Sequence, residues 1–151
     1  MQMKNWILAL AASCIALPAF AEEKKIEITG NDQMQFNTKA LEVAPGDTVV
    51  LTLKHTGTLP KAAMGHNVVI LKADVKIPEF AVKAMKATTT DYVPTDDESK
   101  KQMIAHTKLI GGGESDTVTF TAPKEPGAYP YFCSFPGHYA LMQGVLTVKA
   151  K

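Results

Sequence analysis

The chain has 151 residues, 46% of them hydrophobic, which is enough for one domain with a buried core and too few for two. Its 16 basic residues are all lysine and face 15 acidic ones, so the net charge is near zero. With no arginine to clamp phosphates or read guanines, nucleic acid is excluded as the expected partner, and neutrality suits a protein that meets others through an apolar surface.

Residues 1–21 read as a secretory signal peptide: Lys4 supplies the positive start, Ile7 to Leu17 the apolar stretch, and Ala19-Phe20-Ala21 the small-residue cleavage site. The apolar stretch is shorter than the ~20 residues that span a bilayer. We therefore expect export, no stable membrane association, and a single mature domain over 22–151. Of the two cysteines, Cys14 leaves with the leader, and Cys133 is left with no internal disulfide partner. In an oxidising compartment a lone thiol is a liability unless a metal holds it as thiolate.

Along the mature chain, strands are predicted over Lys25–Thr29, Ala40–Val43, Thr48–His55, His66–Leu71, Thr117–Thr121, Tyr129–Cys133 and Gly144–Lys149. Most alternate apolar and polar residues. Pro45-Gly46-Asp47, Thr56-Gly57, Gly111-Gly112-Gly113 and Glu125-Pro126-Gly127 punctuate them as turns. Strands at this spacing indicate a sandwich or barrel. Pro78 to about Lys86 reads as a short helix, followed by a polar loop with a helical turn after Asp96; together they form a flap inserted into an all-β fold.

The chemistry concentrates in Cys133-Ser134-Phe135-Pro136-Gly137-His138-Tyr139-Ala140-Leu141-Met142, where a thiol, an imidazole and a thioether share one loop. Soft sulfur donors with imidazole select copper over magnesium, calcium or manganese, and one cysteine, two histidines and a weak axial methionine suit one-electron transfer. The second histidine is His66, at the start of an apolar run. Gly65 before it can bring its carbonyl close to a metal as a weak axial oxygen. Asn67 can tie the two ligand segments together through its side-chain amide, and the Phe135 amide can donate to the sulfur. His55 and His106 read as packing or surface residues. Two other functions fit parts of this pattern: an enzyme with Cys133 as nucleophile and His138 as base, and a copper storage or delivery protein.

These residues resemble the azurins, bacterial members of the small blue copper proteins called cupredoxins. The resemblance covers nearly the whole mature chain. It is carried by Gly30-Asn31-Asp32-Gln33-Met34-Gln35-Phe36, Met64-Gly65-His66-Asn67, Ala105-His106-Thr107-Lys108-Leu109-Ile110-Gly111 and the C-x4-H-x3-M loop from Cys133. It implies an eight-stranded Greek-key sandwich with a helical flap, and one copper bound by His66, Cys133 and His138, with weak axial contacts from Met142 and the Gly65 carbonyl. It also implies a monomeric electron carrier, not an enzyme. Redox partners such as haem c cytochromes and periplasmic reductases or dehydrogenases would dock at an apolar patch around His138, formed by Met34, Leu59, Ala63, Met64, Phe135, Pro136 and Ala140. Two departures stand out. Lys24 and about Gly46 occupy positions where azurins usually place a disulfide, and Val68 stands where they often bury a tryptophan. The first predicts lower stability and the second, with Trp6 confined to the leader, a mature protein without tryptophan fluorescence.

Overall fold

The computed structural model describes residues 21–150, so nearly all of the predicted leader lies outside the described residues. Its strands are β1 (Glu23–Gly30), β2 (Ala40–Val43), β3 (Thr48–His55), β4 (Val69–Leu71), β5 (Met103–His106), β6 (Ser115–Thr121), β7 (Gly127–Phe132) and β8 (Gln143–Val148). Three α-helices interrupt them: α1 (Lys61–Met64), α2 (Ile77–Lys86) and α3 (Asp97–Gln102). One sheet has the order β1-β3-β6 and the other β2-β8-β7-β4-β5. The pairs β1–β3 and β2–β8 are parallel and the remaining pairs antiparallel, as crossing connections between two packed sheets require. This is the all-β Greek-key sandwich expected from the sequence.

Alternation explains why these segments pack as they do. On β3, Val49, Leu51, Leu53 and His55 are buried, while Thr48, Val50, Thr52 and Lys54 between them are more exposed. The inward residues meet Ile28, Ile70, Phe120, Tyr131, Leu146 and Val148 in the main core. Cys133 and Met142 belong to the same cluster, so the loop that carries them is anchored in the core.

The strand β4 is short and wholly apolar because both of its faces are covered. Ile70 enters the main core, whereas Val69 and Leu71 join a second cluster with Ile77, Phe80, Ala81, Ala84 and Phe132 beneath α2. Phe80 meets Phe132 edge-on at 6.1 Å. The helix is set up by Pro78 in its first turn, with Glu79 near its N-terminus and Lys83 and Lys86 near its C-terminus. The helical turn expected after Asp96 is α3, capped by the Asp96 side chain, which accepts from the Ser99 amide at 2.9 Å.

Three local features differ from the sequence expectation. The strand β4 begins at Val69 instead of His66, and His66 sits three residues earlier at an isolated bridge with Ile110. Met103–His106, absent from the predicted strands, forms β5 at the sheet edge, where tertiary pairing with β4 overrides a weak local pattern. The short helix α1 was also unforeseen: with four residues it has too few positions to show a period.

Leu51 is fully buried in the main core. Leu51→Ala should cost about 2–5 kcal/mol, read as a lowered urea midpoint of the purified protein without loss of copper binding.

Candidate metal centre

Three of the predicted ligands converge. The Cys133 Sγ lies 3.6 Å from His138 Nδ1 and 4.0 Å from His66 Nδ1, and one donor atom from each residue falls within 4.8 Å of the others. All three residues are buried, Cys133 and His66 completely and His138 at 3% exposure. The Gly65 carbonyl oxygen is 3.8 Å from the same sulfur. Met142 is fully buried. Its terminal methyl and the His66 ring both border the space where a side chain on Gly30 would begin, at 3.4 and 2.7 Å, so glycine here leaves that space to them.

The ligand loop is shaped by its own hydrogen bonds. The Cys133 amide donates to the Met142 carbonyl at 2.9 Å, closing the loop at its base. Inside, the His138 amide donates to Phe135 O, and the Leu141 and Met142 amides both donate to His138 O. Gly137 takes a positive φ of 83°, which glycine adopts without strain, and with Pro136 it turns the chain so that His138 faces back toward Cys133.

On the opposite wall, α1 delivers His66. A side chain at Gly65 would press on the Lys61 carbonyl at 2.7 Å and on Leu109 at 3.0 Å, so glycine lets the helix end pack tightly here. The His66 amide and carbonyl are both bonded to Ile110, at 3.0 and 2.9 Å. Asn67 links the two walls: its Nδ2 donates to Ser134 Oγ and its Oδ1 accepts from the Ser134 amide, each at 2.8 Å. The tie foreseen for Asn67 is present, and Ser134 is its partner.

The histidine tautomers follow from these contacts. His66 Nε2 lies 2.8 Å from the Asn31 carbonyl, which can only accept, so Nε2 carries the proton and Nδ1 presents a lone pair toward the sulfur. His55 is 2% exposed and stacks on His66 at 4.2 Å with 15° between the rings. Its Nε2 donates to the Met64 carbonyl at 2.8 Å and its Nδ1 accepts from the Gly57 amide at 3.1 Å. His55 is thus a packing residue, as read, but it packs directly on a ligand. Its phase with Val49, Leu51 and Leu53 on β3 was the signal for that inward position. His106 is exposed on β5, away from the cluster.

Electrostatics favour neutral donors. Burial pushes the Cys133 thiol up to about 12, opposed by the backbone amides of Asn67 and Phe135. Burial lowers His138 to about 4, helped by the charges that His66 and His55 would carry if protonated. His66 is lowered chiefly by burial, against the pull of its bond to Asn31. A buried thiolate needs a positive partner, and a cation that replaces the thiol proton between two imidazole lone pairs supplies it. One soft thiolate and two imidazoles in this setting fit copper.

A sandwich with a buried Cys-His-His cluster at the end of its strands defines a cupredoxin-type copper protein. The comparisons agree: residues 22–149 match the model for copper binding proteins of the plastocyanin/azurin family, and the chain belongs to that family. Among curated relatives, the azurin of Alcaligenes faecalis is 51% identical over 129 residues, covering 82% of this chain and 96% of that protein. The azurin of Pseudomonas aeruginosa is 44% identical over 140 residues, covering 91% and 93%. Among solved structures, the dithionite-reduced auracyanin of Roseiflexus castenholzii matches with a TM-score of 0.74 at 36% identity, covering 83% of this chain and 97% of that one.

The lowered His138 has a pH signature. Its folded value of about 4 lies below the ordinary 6.5, so above pH 6.5 the unfolded and folded states bind equally few protons there. As pH falls from 6.5 toward 4 the unfolded chain binds more, and stability drops. Urea midpoints of protein stripped of copper should fall across that window, and His138→Gln should flatten the fall.

Proposed function

We propose that the chain is a periplasmic one-electron carrier, exported after cleavage behind Ala21, in which His66, Cys133 and His138 hold one copper ion while Met142 and the Gly65 carbonyl make weak axial contacts. The observation that carries this reading is the convergence of Cys133 Sγ, His66 Nδ1 and His138 Nδ1 on one buried point from two walls bonded together through Asn67 and Ser134. When bound there, copper supplies a centre that cycles between Cu(I) and Cu(II). The protein's part is to change little between the two. The Cys133–Met142 hydrogen bond, the two backbone hydrogen bonds between His66 and Ile110 and the Asn67–Ser134 tie keep donor positions fixed, which keeps the reorganisation accompanying each transfer small.

Electrons would pass at the His138 edge. Phe135 covers the His138 ring at 4.6 Å, Pro136 is half-buried, and Gly137, Ala140 and, on the segment before α1, Leu59 are exposed. An apolar rim of this kind supports brief docking of redox proteins, with haem c cytochromes and periplasmic reductases or dehydrogenases as the proposed partners of a monomer. The alternative of copper storage or delivery calls for an open, exchangeable site, and the donors here are buried and cross-tied.

Adding copper(II) to purified protein should give an intense blue colour at one copper per chain, bleached by ascorbate and restored by an oxidant. A colourless complex, or one that does not cycle, would overturn the proposal. Cys133→Ser should abolish the colour. Met142→Leu should keep the copper and shift the reduction potential, as expected of a weak axial contact. Intact mass of the exported protein should place the first residue at Glu22.

A further inference from the structure

We propose that Asp32 is a positioning residue for His66: its carboxylate clamps the loop whose Asn31 carbonyl fixes the orientation of the imidazole. The inference rests on the reading of His66 as a copper ligand and concerns what holds that ligand still.

The His66 ring is held at one edge by whatever its Nδ1 faces, at the other by the Asn31 carbonyl at 2.8 Å, and on one flat side by His55. Its tilt therefore follows the position of Asn31 O. That oxygen belongs to a loop between the end of β1 and Phe36, which is bonded mostly to itself. Asn31 Oδ1 accepts from the Gln33 and Gln35 amides at 3.0 and 3.1 Å, the Asn31 amide donates to Gln35 O, and the Met34 amide donates back to Asn31 O. Met34 completes the turn at a positive φ of 55°. These bonds make the loop stiff, but beyond its base, where the Gly30 carbonyl accepts from the Thr56 amide at 2.8 Å and from Thr56 Oγ1 at 3.1 Å, they do not fasten it to the wall that carries the ligand.

Asp32 does. Its Oδ2 accepts from the Thr58 amide at 2.8 Å and from Thr58 Oγ1 at 3.4 Å, and its Oδ1 accepts from the Leu59 amide at 3.3 Å. The Thr58 amide foremost holds the carboxyl below its usual range, so it is an acceptor at neutral pH. The segment it grips adjoins Gly57, whose amide donates to His55 Nδ1, and His55 stacks on His66. The contacts thus close a ring: Asn31 to Asp32 along the chain, Asp32 to Thr58, Gly57 to His55, His55 to His66, and His66 back to Asn31. Gly57 is required in this ring, because a side chain there would collide with the Asp32 carboxylate.

Opening the ring at Asp32 frees Asn31 O to move and exposes the His66 Nε2–H. In the copper(I) protein that proton should exchange slowly with solvent, seen as a persistent imidazole cross-peak in proton–nitrogen NMR. Asp32→Ala should speed its exchange at least about tenfold and weaken copper affinity by up to about 10- to 100-fold, the range typical when the outer support of a metal ligand is lost. Asp32→Asn keeps an acceptor without the charge and should restore most of the protection. Thr52→Val breaks the 2.8 Å Thr52–Thr117 bond between β3 and β6, and should leave the exchange at the parent rate. Should Asp32→Ala not fold, Gly57→Ala, which displaces the carboxylate without touching Asn31, should give the same acceleration. An unchanged exchange rate in Asp32→Ala or Gly57→Ala, or Asp32→Asn exchanging as fast as Asp32→Ala, would overturn the positioning role. A parent protein that takes up no blue copper would instead overturn the ligand assignment itself.

Discussion

Everything in this molecule turns on keeping one thiol and two imidazoles together where water cannot reach them. Burying polar groups without partners costs several kcal/mol in total. Here each group is given a neutral arrangement: the thiol keeps its proton, His66 spends its Nε2–H on Asn31, and His55 behind it has both ring nitrogens occupied. The folded chain can thus hold the donors close without a charge among them, and a soft cation improves on that balance by replacing a single proton.

The sandwich makes this possible by bringing distant segments to one end. Asn31 follows β1, His55 ends β3, His66 precedes β4, and Cys133 follows β7, so each arrives at the terminus of a strand that is itself fixed by neighbours on both sides or by the core. The burial of β4 on both faces matters most here. With Ile70 in the main core and Val69 and Leu71 beneath α2, the segment that continues from His66 and Asn67 has no freedom to slide. The flap, far from being an ornament on the fold, is one jaw of the vice that holds a ligand strand.

Much of this was legible in the sequence, for identifiable reasons. Side-chain chemistry with fixed spacing, as in Cys133 to Met142, announces itself, and period-two alternation marked β3 and its turns. His66 was found by its company, Gly65 and Asn67, although its strand starts later than the pattern suggested. What stayed hidden was carried by the backbone or by long-range pairing. The carbonyl of Asn31 has no residue-type signature, α1 is too short to show a period, and β5 exists because β4 offers it an edge. Lys24 and about Gly46, the positions where the resemblance to azurins would place a disulfide, leave a further lesson. There the Glu22 amide reaches the buried Asp47 carboxylate at 3.2 Å and Asp47 also accepts from Ala44 at 3.0 Å, so hydrogen bonds clasp this end of the sandwich.

Phe135 shows how tightly structure and proposed function are joined at the open end of the site. Its amide favours the thiolate form of Cys133, while its ring lies 4.6 Å from His138 and meets Tyr92 nearly edge-on at 5.5 Å. Tyr92 and Asp91 both hold left-handed backbone conformations, φ 61° and 51°, which an aromatic residue adopts only when its surroundings demand it. The Lys61–Asp91 ion pair ties that strained turn to α1 at 3.3 Å, the helix that delivers His66. The flap therefore touches both walls of the site, through a ring on one side and an ion pair on the other. An aromatic lid fixed at two points can exclude water from the donors yet keep the edge of His138 thinly covered. Exclusion and near-exposure at one residue are the two conditions that a buried centre must meet to trade electrons across a surface.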